Sequence, residues 1–223
     1  MTLEFLVERW EDQRTIKNLM GKYVNCLLLN RQGEIFDSFF SKKADVCLTF
    51  NDGSYVGPEA IRGYLDAIVA RNLLSAQLLQ KRLPEKLGSK SDEEIYGIGP
   101  FHVKPLTAPV IEVAEDGETA KGLWFCLGCN AEVTTRGPEA SWTWGYFAVD
   151  FTYEDDDWKI WHLQYLNDVH RKAGQPLHEP YTPYPEMPEF TEMRSFSMPE
   201  PTVKTCVHPM YTVDRPFQQP PRI

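Results

Sequence analysis

The fold is decided by the stretch from Thr119 to Tyr153, TAKGLWFCLGCNAEVTTRGPEASWTWGYFAVDFTY. It holds two long runs of apolar and aromatic residues with turn residues between them, which is typical of neighbouring strands. Working outward, four strands are predicted, at about 102–113, 119–134, 141–153 and 158–171. They are joined by turns at Glu115-Asp116-Gly117, Arg136-Gly137-Pro138 and Asp155-Asp156-Asp157. Short turns between successive strands predict an antiparallel meander.

The residues before this meander predict helices and one hairpin. From Leu3 to Leu27 apolar residues recur every three or four positions, which is the period of an amphipathic helix. A short helix at 33–40 follows, then a hairpin turned by Asn51-Asp52-Gly53, and then a helix that begins at Pro58. Helices followed by long antiparallel strands predict an α+β fold, with the helices packed on one face of a curved sheet.

Two segments extend this framework. Residues 70–100 form an inserted, lid-like segment whose leucines suit either a lid or an oligomer contact. Residues 176–223 hold most of the 17 prolines together with several aromatic residues, so we expect an extended arm packed on its own domain or on a neighbouring subunit. We therefore divide the chain into a domain at 1–175 and a tail, and expect a homo-oligomer, a dimer or a trimer.

The composition of the chain argues against two classes of partner, nucleic acids and membranes. The chain has 223 residues and a net charge of -9, with no basic cluster, which argues against nucleic acid as a partner. No apolar run approaches the roughly 20 residues of a membrane helix, and the charged amino terminus is not a signal peptide, so we expect a cytoplasmic protein and no membrane partner. Cys126 and Cys129 point to opposite faces of a strand, and we expect no metal site there.

Five short motifs in a fixed order resemble the SnoaL-like branch of the nuclear transport factor 2-like superfamily. They are Ile16–Tyr23 (IKNLMGKY), Asn51–Ile61 (NDGSYVGPEAI), Pro109–Val113 (PVIEV), Thr119–Trp124 (TAKGLW) and Asp157–Leu163 (DWKIWHL). The resemblance implies a cone-shaped sheet wrapped round the helices. Enzymes of this kind include scytalone dehydratase, bile acid 7α-dehydratase and ketosteroid isomerase, and they imply acid–base chemistry on an apolar substrate with no metal or organic cofactor. The superfamily also contains plain binding modules.

The residues that the resemblance carries over are partly replaced. Tyr23 matches a first-helix tyrosine of the dehydratases, but the aspartate expected five residues later is Leu28. The strand histidine of the family falls on Lys104, with His102 two positions before it, and a buried aspartate falls at or beside Gly128. The aromatic residue of the first strand is Phe50, which lacks a hydroxyl group. The usual Asp/His pair is therefore absent as such.

Strand alternation predicts which side chains share the cone interior. It places His162 with Trp158 and Ile160, and it groups Trp144 with Tyr146. The predicted catalytic residues are Tyr23, His102, Lys104 and His162. The predicted substrate-binding residues are Phe50, Trp124, Asn130, Trp144 and Tyr146.

Each of these residues also has a plain structural interpretation. His102 and Lys104 would be surface groups if their strand face points to solvent, while Tyr23 and His162 suit hydrogen-bonded core positions. If Lys104 lies inside the cone, it must be paired or carry a depressed pKa. We predict a cofactor-independent lyase of the dehydratase type, or an isomerase, with a small aromatic or polycyclic substrate. The alternative is a non-catalytic small-molecule-binding or assembly module.

Overall fold

The helices come first in the chain, as predicted. The computed structural model of the protein describes residues 2–50, 53–96, 101–134, 137–174 and 196–204. Helix α1 (Leu3–Leu28) begins where the Thr2 hydroxyl accepts a hydrogen bond from the Phe5 backbone N–H. Its buried residues follow the helical period and are Ile16, Leu19, Met20 and Tyr23. A 3-10 turn (Gln32–Glu34) leads directly into the short helix α2 (Ile35–Phe39).

The third helix begins at the predicted Pro58 and continues well into the segment 70–100. Helix α3 (Pro58–Arg82) begins after Gly57, whose φ of 90° favours glycine, and it runs through the first part of the predicted insert. Two short helices follow, α4 (Pro84–Leu87) and α5 (Asp92–Tyr96). The end of α3 packs with them in a small separate core of Ala76, Leu78, Leu79, Leu87 and Ile95. The lid or oligomer role of residues 70–100 stays a prediction.

The strands form one curved, open sheet, and the α+β prediction is confirmed. Within the described residues the strands are β1 (Cys47–Phe50), β2 (Gly53–Val56), β3 (Phe101–Val103), β4 (Val110–Val113), β5 (Thr119–Thr134), β6 (Gly137–Glu154), β7 (Asp157–Lys172) and β8 (Val203–Lys204). Their order is β3-β5-β6-β7-β1-β2-β8, with β4 also paired to β5. The sheet is antiparallel except for the parallel pair β1/β7.

The single strand predicted at 102–113 is wrong in one respect. The structure divides it into β3 and β4, which pair with different parts of β5. Between them, Leu106 makes an isolated bridge to Cys126. The interruption lets the chain after β3 turn across β5, and Lys104 lies in this interruption.

Two bulges in β7 change the direction of its side chains. Asp150 pairs with His162 while Phe151 pairs with Ile160, so Trp161 is an extra residue on β7. A second irregularity lies opposite Trp144 and Gly145, where Asp168 is the extra residue. Each inserted residue exchanges the two faces of the strand beyond it.

The main core lies between the helices and one face of the sheet. This inner face is marked by Trp124, Phe147 and Ile160, which pack with Met20 and Ile61 of the helices. The opposite face, here called the outer face, carries Phe125, Leu127 and Trp142, which are exposed. Every helix packs by burying apolar side chains, as the periodic pattern of α1 predicted.

A short part of the tail runs along the edge of the sheet. Strand β8 pairs with β2, and the Tyr55 hydroxyl donates a hydrogen bond to the Pro199 carbonyl oxygen at 3.1 Å. The Val56 backbone N–H donates to the Thr202 hydroxyl at 3.2 Å. Residues 196–204 therefore lie against their own domain, and the rest of the predicted arm lies outside the described residues.

The second bulge, opposite Trp144 and Gly145, makes Gly145 sensitive to substitution. A Cβ atom at this position would lie 2.1 Å from the carbonyl oxygen of Leu166, which belongs to the backbone of the neighbouring strand. We expect Gly145→Ala to lower the free energy of unfolding by about 1–3 kcal/mol, measured by urea denaturation. Gly63→Ala is the matched control: it meets no atom within 4 Å in helix α3 and should stabilise by about 0.5–1 kcal/mol. Equal stabilities of both variants would contradict this account of the bulge.

No helix in the described part of the chain combines the length and the apolarity needed to cross a bilayer.

Candidate functional site

Strand β5 presents its even-numbered residues to the inner face, as its alternation predicted. Trp124, Cys126 and Asn130 are buried, whereas Phe125 and Leu127 on the other face are 55% and 57% exposed. Asn130 is the polar member of this row. A buried amide among apolar residues requires a hydrogen-bond partner. This end of β5 is therefore a candidate binding site.

Strand β6 differs from the prediction in which face is inner. Trp144 and Tyr146 do share a face, but it is the outer one, because Phe147 of the alternate set belongs to the core. By the same alternation the inner face of β6 continues through Thr143 and Ser141, which are small and buried. Large aromatic residues suggested a pocket wall, yet Trp144 is 38% exposed on the far side of the sheet.

His162 also lies on the outer face, and the shared face predicted for it is wrong. The Trp161 bulge turns Leu163 and Tyr165 toward the core in its place. The His162 Nδ1–H donates to Asp150 Oδ2 at 3.1 Å, and its ring stacks on Trp161. His162 is thus held in an Asp–His pair that is separated from the inner face by the sheet itself.

Lys104 reaches across the inner face. It follows β3 at the sheet edge and is half-buried, and its Nζ lies 3.8 Å from the centroid of the Tyr165 ring. No carboxylate within the described residues pairs with this ammonium group. Desolvation lowers the pKa of Lys104 to about 8, and only the nearby Cys126 acts in the other direction. An aromatic face stabilises a cation, but it replaces only part of the lost hydration.

Gly128 provides the path for this side chain. A Cβ atom built on Gly128 would lie 3.5 Å from Lys104 Cγ, so the lysine stem passes directly over the glycine. The same Cβ would lie 2.6 Å from Thr143 Oγ1 and 2.7 Å from the Val103 carbonyl oxygen. Only glycine lets these three groups come together. The Thr143 hydroxyl is completely buried and has no hydrogen-bond partner within the described residues.

His102 lies at the edge of the same face. It pairs across β3 and β5 with Asn130, and its Nδ1 is 3.1 Å from Asn130 Oδ1. An amide oxygen only accepts, so in this arrangement the proton is on Nδ1 and the Nε2 lone pair is free to bind a proton. The residue as a whole is exposed, yet desolvation of the ring lowers its pKa, helped by the positive charges of Lys104 and Arg71.

Tyr23 joins this cluster through aromatic contacts. It is buried, and its ring meets the edge of Phe147 at 6.2 Å between centroids. Phe147 in turn packs on Tyr165 at 4.5 Å, the ring that carries Lys104 on its face. Burial raises the pKa of Tyr23, so its phenol stays protonated at neutral pH.

Phe50 and Trp124 lie on the core side but not in the polar cluster. Phe50 packs at 5.1 Å from Tyr64 of helix α3. Trp124 is fully buried, with its ring against Phe151. These two contacts are those of core residues, and their predicted role in substrate binding stays untested.

The structure thus brings together three of the predicted site residues, His102, Lys104 and Asn130, with Tyr23 nearby. We call His102, Lys104, Asn130, Thr143 and Tyr165 the inner polar cluster. Sequence reasoning missed Thr143 and Tyr165. Tyr165 could not be found because its face depends on the bulge, whereas Thr143 shares the parity of the core strip Phe147-Val149-Phe151 and was detectable.

Within the residues that the structure describes, no group of three or more His, Cys, Asp or Glu side chains is arranged to hold a metal ion. Cys126, buried near Lys104, has its pKa raised to about 11 by desolvation and remains a neutral thiol. The donors that face one another in the cluster are a lysine, an imidazole, an amide and hydroxyl groups. This set favours proton transfer and the binding of an oxygen atom.

An open, curved sheet packed on amino-terminal helices, with polar groups on the packed face, defines a nuclear transport factor 2-like α+β protein. The sequence profile of the SnoaL-like domain matches residues 8–164. Since this match spans more than half of the chain, the protein belongs to the SnoaL-like domain family.

Several solved structures share the fold at low sequence identity. A protein provisionally assigned as a scytalone dehydratase from Novosphingobium aromaticivorans is 14% identical, over 78% of this chain and 96% of that chain, with a TM-score of 0.54. The hexachlorocyclohexane dehydrochlorinase LinA-type3 from Novosphingobium barchaimii is 14% identical, over 79% and 98%, with a TM-score of 0.51. The Kfla4162 protein from Kribbella flavida is 12% identical, over 73% and 95%, with a TM-score of 0.53. Among curated protein sequences, none matches this chain.

Proposed function

We propose that the protein is a cofactor-independent lyase of the dehydratase type, or an isomerase, that uses the inner polar cluster for acid–base chemistry. Its substrate is a small, largely apolar molecule, aromatic or polycyclic, that carries a hydroxyl or carbonyl group. Elimination ranks first, because two structural neighbours bear the names of a dehydratase and a dehydrochlorinase. The assignment to this chain rests on its own residues, since neighbours at such identities share only the fold.

The observation that carries the proposal is the position of Lys104. A lysine that points to solvent keeps its hydration shell, whereas this one crosses Gly128 and lies on the Tyr165 ring without a carboxylate partner within the described residues. Keeping an unpaired ammonium half-buried costs stability. Such a cost is typical of functional sites, where a desolvated charge acts on a substrate.

The proposed mechanism assigns a different task to each group. His102 is neutral at pH 7, and its free Nε2 removes a proton from carbon while Asn130 holds the other ring nitrogen. The Lys104 ammonium stabilises the negative charge that develops on the substrate oxygen. The aromatic groups around Tyr165 and Phe147 exclude water and strengthen this interaction. The phenol of Tyr23 stays protonated and lies against Phe147, on the side of that ring away from Lys104 in the chain of aromatic contacts.

This division of tasks predicts the pH dependence. The base must be neutral, so kcat/KM should rise with pH through the pKa of His102, which lies below its ordinary 6.5. The electrophile must be protonated, so kcat/KM should fall as pH rises through the pKa of Lys104, at about 8. We expect a bell-shaped profile with its maximum near pH 7, measured with a substrate that binds without covalent attachment. A rate that is flat from pH 5 to 9 would contradict both roles.

The experiment that tests the proposal begins with binding. Thermal shift is measured with flat hydroxylated aromatics, steroids, bile acids and polyketide-like phenols, because a ligand at one hundred times its Kd adds about 2.7 kcal/mol of stability. Compounds that bind are then followed by ultraviolet absorbance for the new double bond of an elimination or isomerisation. The proposal expects binding by the wild-type protein and a weaker shift for Lys104→Met. If no compound of the panel shifted the melting temperature of the folded protein, the proposed function would lose its support.

The second candidate, a non-catalytic assembly module, is favoured by the outer face. Four large apolar side chains of β5 and β6 are exposed there, namely Phe125, Leu127, Trp142 and Trp144. A second copy of the chain is the partner that this alternative proposes for the surface. Light scattering of Leu127→Lys tests it, since a loss of mass relative to the wild type would support assembly through this face.

A binding module would also tolerate the loss of His102 and Lys104, whereas an enzyme would not.

A further inference from the structure

The Lys104 amine is placed to react as well as to bind. Its Nζ lies on the Tyr165 ring, with no carboxylate of the described residues holding it as an ammonium ion. A lysine that is freed from ion pairs and surrounded by apolar groups is the usual form of a nucleophilic lysine. The neighbouring Cys126 thiol is neutral and does not form an ion pair with the amine at neutral pH.

The Thr143 hydroxyl is a second, independent indication of a ligand. It is fully buried beside Gly128 and makes no hydrogen bond within the described residues, which costs free energy unless another molecule supplies the partner. The lysine stem passes over the same glycine, so the hydroxyl and the stem share one small volume of the inner face. The hydroxyl therefore lies beside the lysine stem, and a substrate oxygen held there would supply its missing partner.

We propose that Lys104 forms a Schiff base with an aldehyde or ketone, so that the substrate class of this site is an aromatic or polycyclic carbonyl compound. This inference rests on the proposed function, which places the same lysine next to the substrate oxygen. The covalent product replaces the Lys104 ammonium by a protonated imine. The positive charge stays over the Tyr165 ring, and it is now bonded to the substrate itself.

Schiff-base formation at Lys104 has two stages. The neutral Nζ attacks the carbonyl carbon, a C–N bond forms, and the carbonyl π electrons move to oxygen, which takes up a proton. The C–O bond then breaks, water leaves, and the nitrogen lone pair forms the C=N bond. In sum, an ammonium group and a carbonyl compound give a protonated imine and water. Thr143 hydrogen-bonds the oxygen as it becomes a hydroxyl group, and His102 moves protons at the edge of the cluster.

The experiment is reductive trapping. The full-length protein is mixed with 2-naphthaldehyde and sodium cyanoborohydride at pH 7.5, and the labelled lysines are identified by peptide mass spectrometry. A lysine with a pKa near 8 has about 10²-fold more neutral amine at this pH than one with the ordinary value. Because a less basic amine is also a weaker nucleophile, we expect Lys104 to be labelled about 10-fold faster than exposed lysines such as Lys22 and Lys81.

Two variants are matched controls. Lys104→Arg keeps a positive charge over Tyr165 but has no nucleophilic amine, so the rapid label should disappear while the melting temperature stays unchanged. Thr143→Val removes only the unpartnered hydroxyl, and labelling of Lys104 should slow by about 3- to 10-fold without loss of stability. The same labelling rate in Thr143→Val would remove Thr143 from the inference.

The outcomes separate this inference from the proposed function. Labelling that follows exposure alone, with Lys104 no faster than Lys22, would overturn the Schiff base. If a panel compound were then turned over by Lys104→Arg but not by Lys104→Met, the non-covalent mechanism would stand, because the positive charge alone would be sufficient. Rapid labelling of Lys104 in a protein whose turnover does not depend on it would support the reactive amine and contradict the proposed catalytic role.

Discussion

Replacing Lys104 by methionine should lower turnover of a panel substrate by about 10²–10³-fold, the usual effect of removing a group that stabilises developing negative charge. Methionine has a similar length, so it fills the path over Gly128 and keeps contact with the Tyr165 ring. The melting temperature should stay the same or rise, because the change removes a half-buried ammonium with no carboxylate partner in the described part of the chain. Steady-state kinetics and calorimetry on the same preparation measure both effects.

The matched control for this variant is Lys121→Met. Lys121 lies on β5, which Lys104 crosses at Gly128, but on the outer face opposite Asp150, and we expect its replacement to leave turnover within a factor of two. An equal loss in both variants would mean that net charge, rather than the inner polar cluster, controls the rate. A Lys104→Met protein with full turnover would eliminate Lys104 from the mechanism.

His102 and His162 should respond very differently to replacement by alanine. His102→Ala removes the proposed base on the inner face, and we expect turnover to fall by about 10²–10⁴-fold. His162→Ala removes a side chain of the outer face, and turnover should change by less than about threefold. Its effect should appear in stability instead, because Asp150 loses its hydrogen-bond partner.

Rescue distinguishes a chemical role of His102 from a structural one. Added imidazole should restore part of the activity of His102→Ala, since residue 102 lies at an exposed edge of the sheet, where a small base can enter the space that the ring leaves. The pH–rate profile of this variant should lose its acidic limb and keep the alkaline limb that belongs to Lys104. If His162→Ala proved the more damaging change, the placement of the catalytic face would be wrong.

Much of the architecture follows from local sequence signals. The helical period of α1, the start signal at Pro58 and the turn at Asp155-Asp156-Asp157 all lie where the structure has the corresponding features. Asp155 and Asp156 both have positive φ angles in the two-residue turn between β6 and β7. Alternation on β5 is equally clear, because Gly122, Trp124 and Cys126 form one buried row. These features depend on neighbours in the sequence, which is why they were predictable.

The errors about β7 come from one physical cause. A bulge adds one residue to a strand, and nothing in the sequence around Trp161 marks it. Between that residue and the second bulge the side chains exchange faces, so His162 moves out and Tyr165 moves in. The error on β6 has a different origin, because the large apolar ring of tryptophan favours the interior but does not require it. Trp142 and Trp144 are exposed, and the smaller Thr143 occupies the inner face between them.

The arrangement also shows how this chain differs from the pattern that its resemblance implied. The carboxylate position of the family falls at or beside Gly128, and the histidine position falls on Lys104. In the structure these two changes belong together, since the lysine stem needs the space that glycine leaves. Loss of an acidic side chain and gain of a desolvated cation reverse the charge of the site. A site of this charge stabilises substrate oxygen anions, the chemistry that we propose.

The central claim is that Lys104 is a desolvated amine on the inner face, and its titration tests this claim without knowledge of the substrate. The protein is labelled with ¹³C-lysine, the Cε resonances are followed by NMR from pH 6 to 12, and Lys104→Arg identifies the signal of Lys104. We expect this signal to titrate near pH 8, well below the value of about 10.4 of an unperturbed lysine amine. If Lys104 titrates together with the exposed lysines, its side chain is solvated, and the account of the inner polar cluster is wrong.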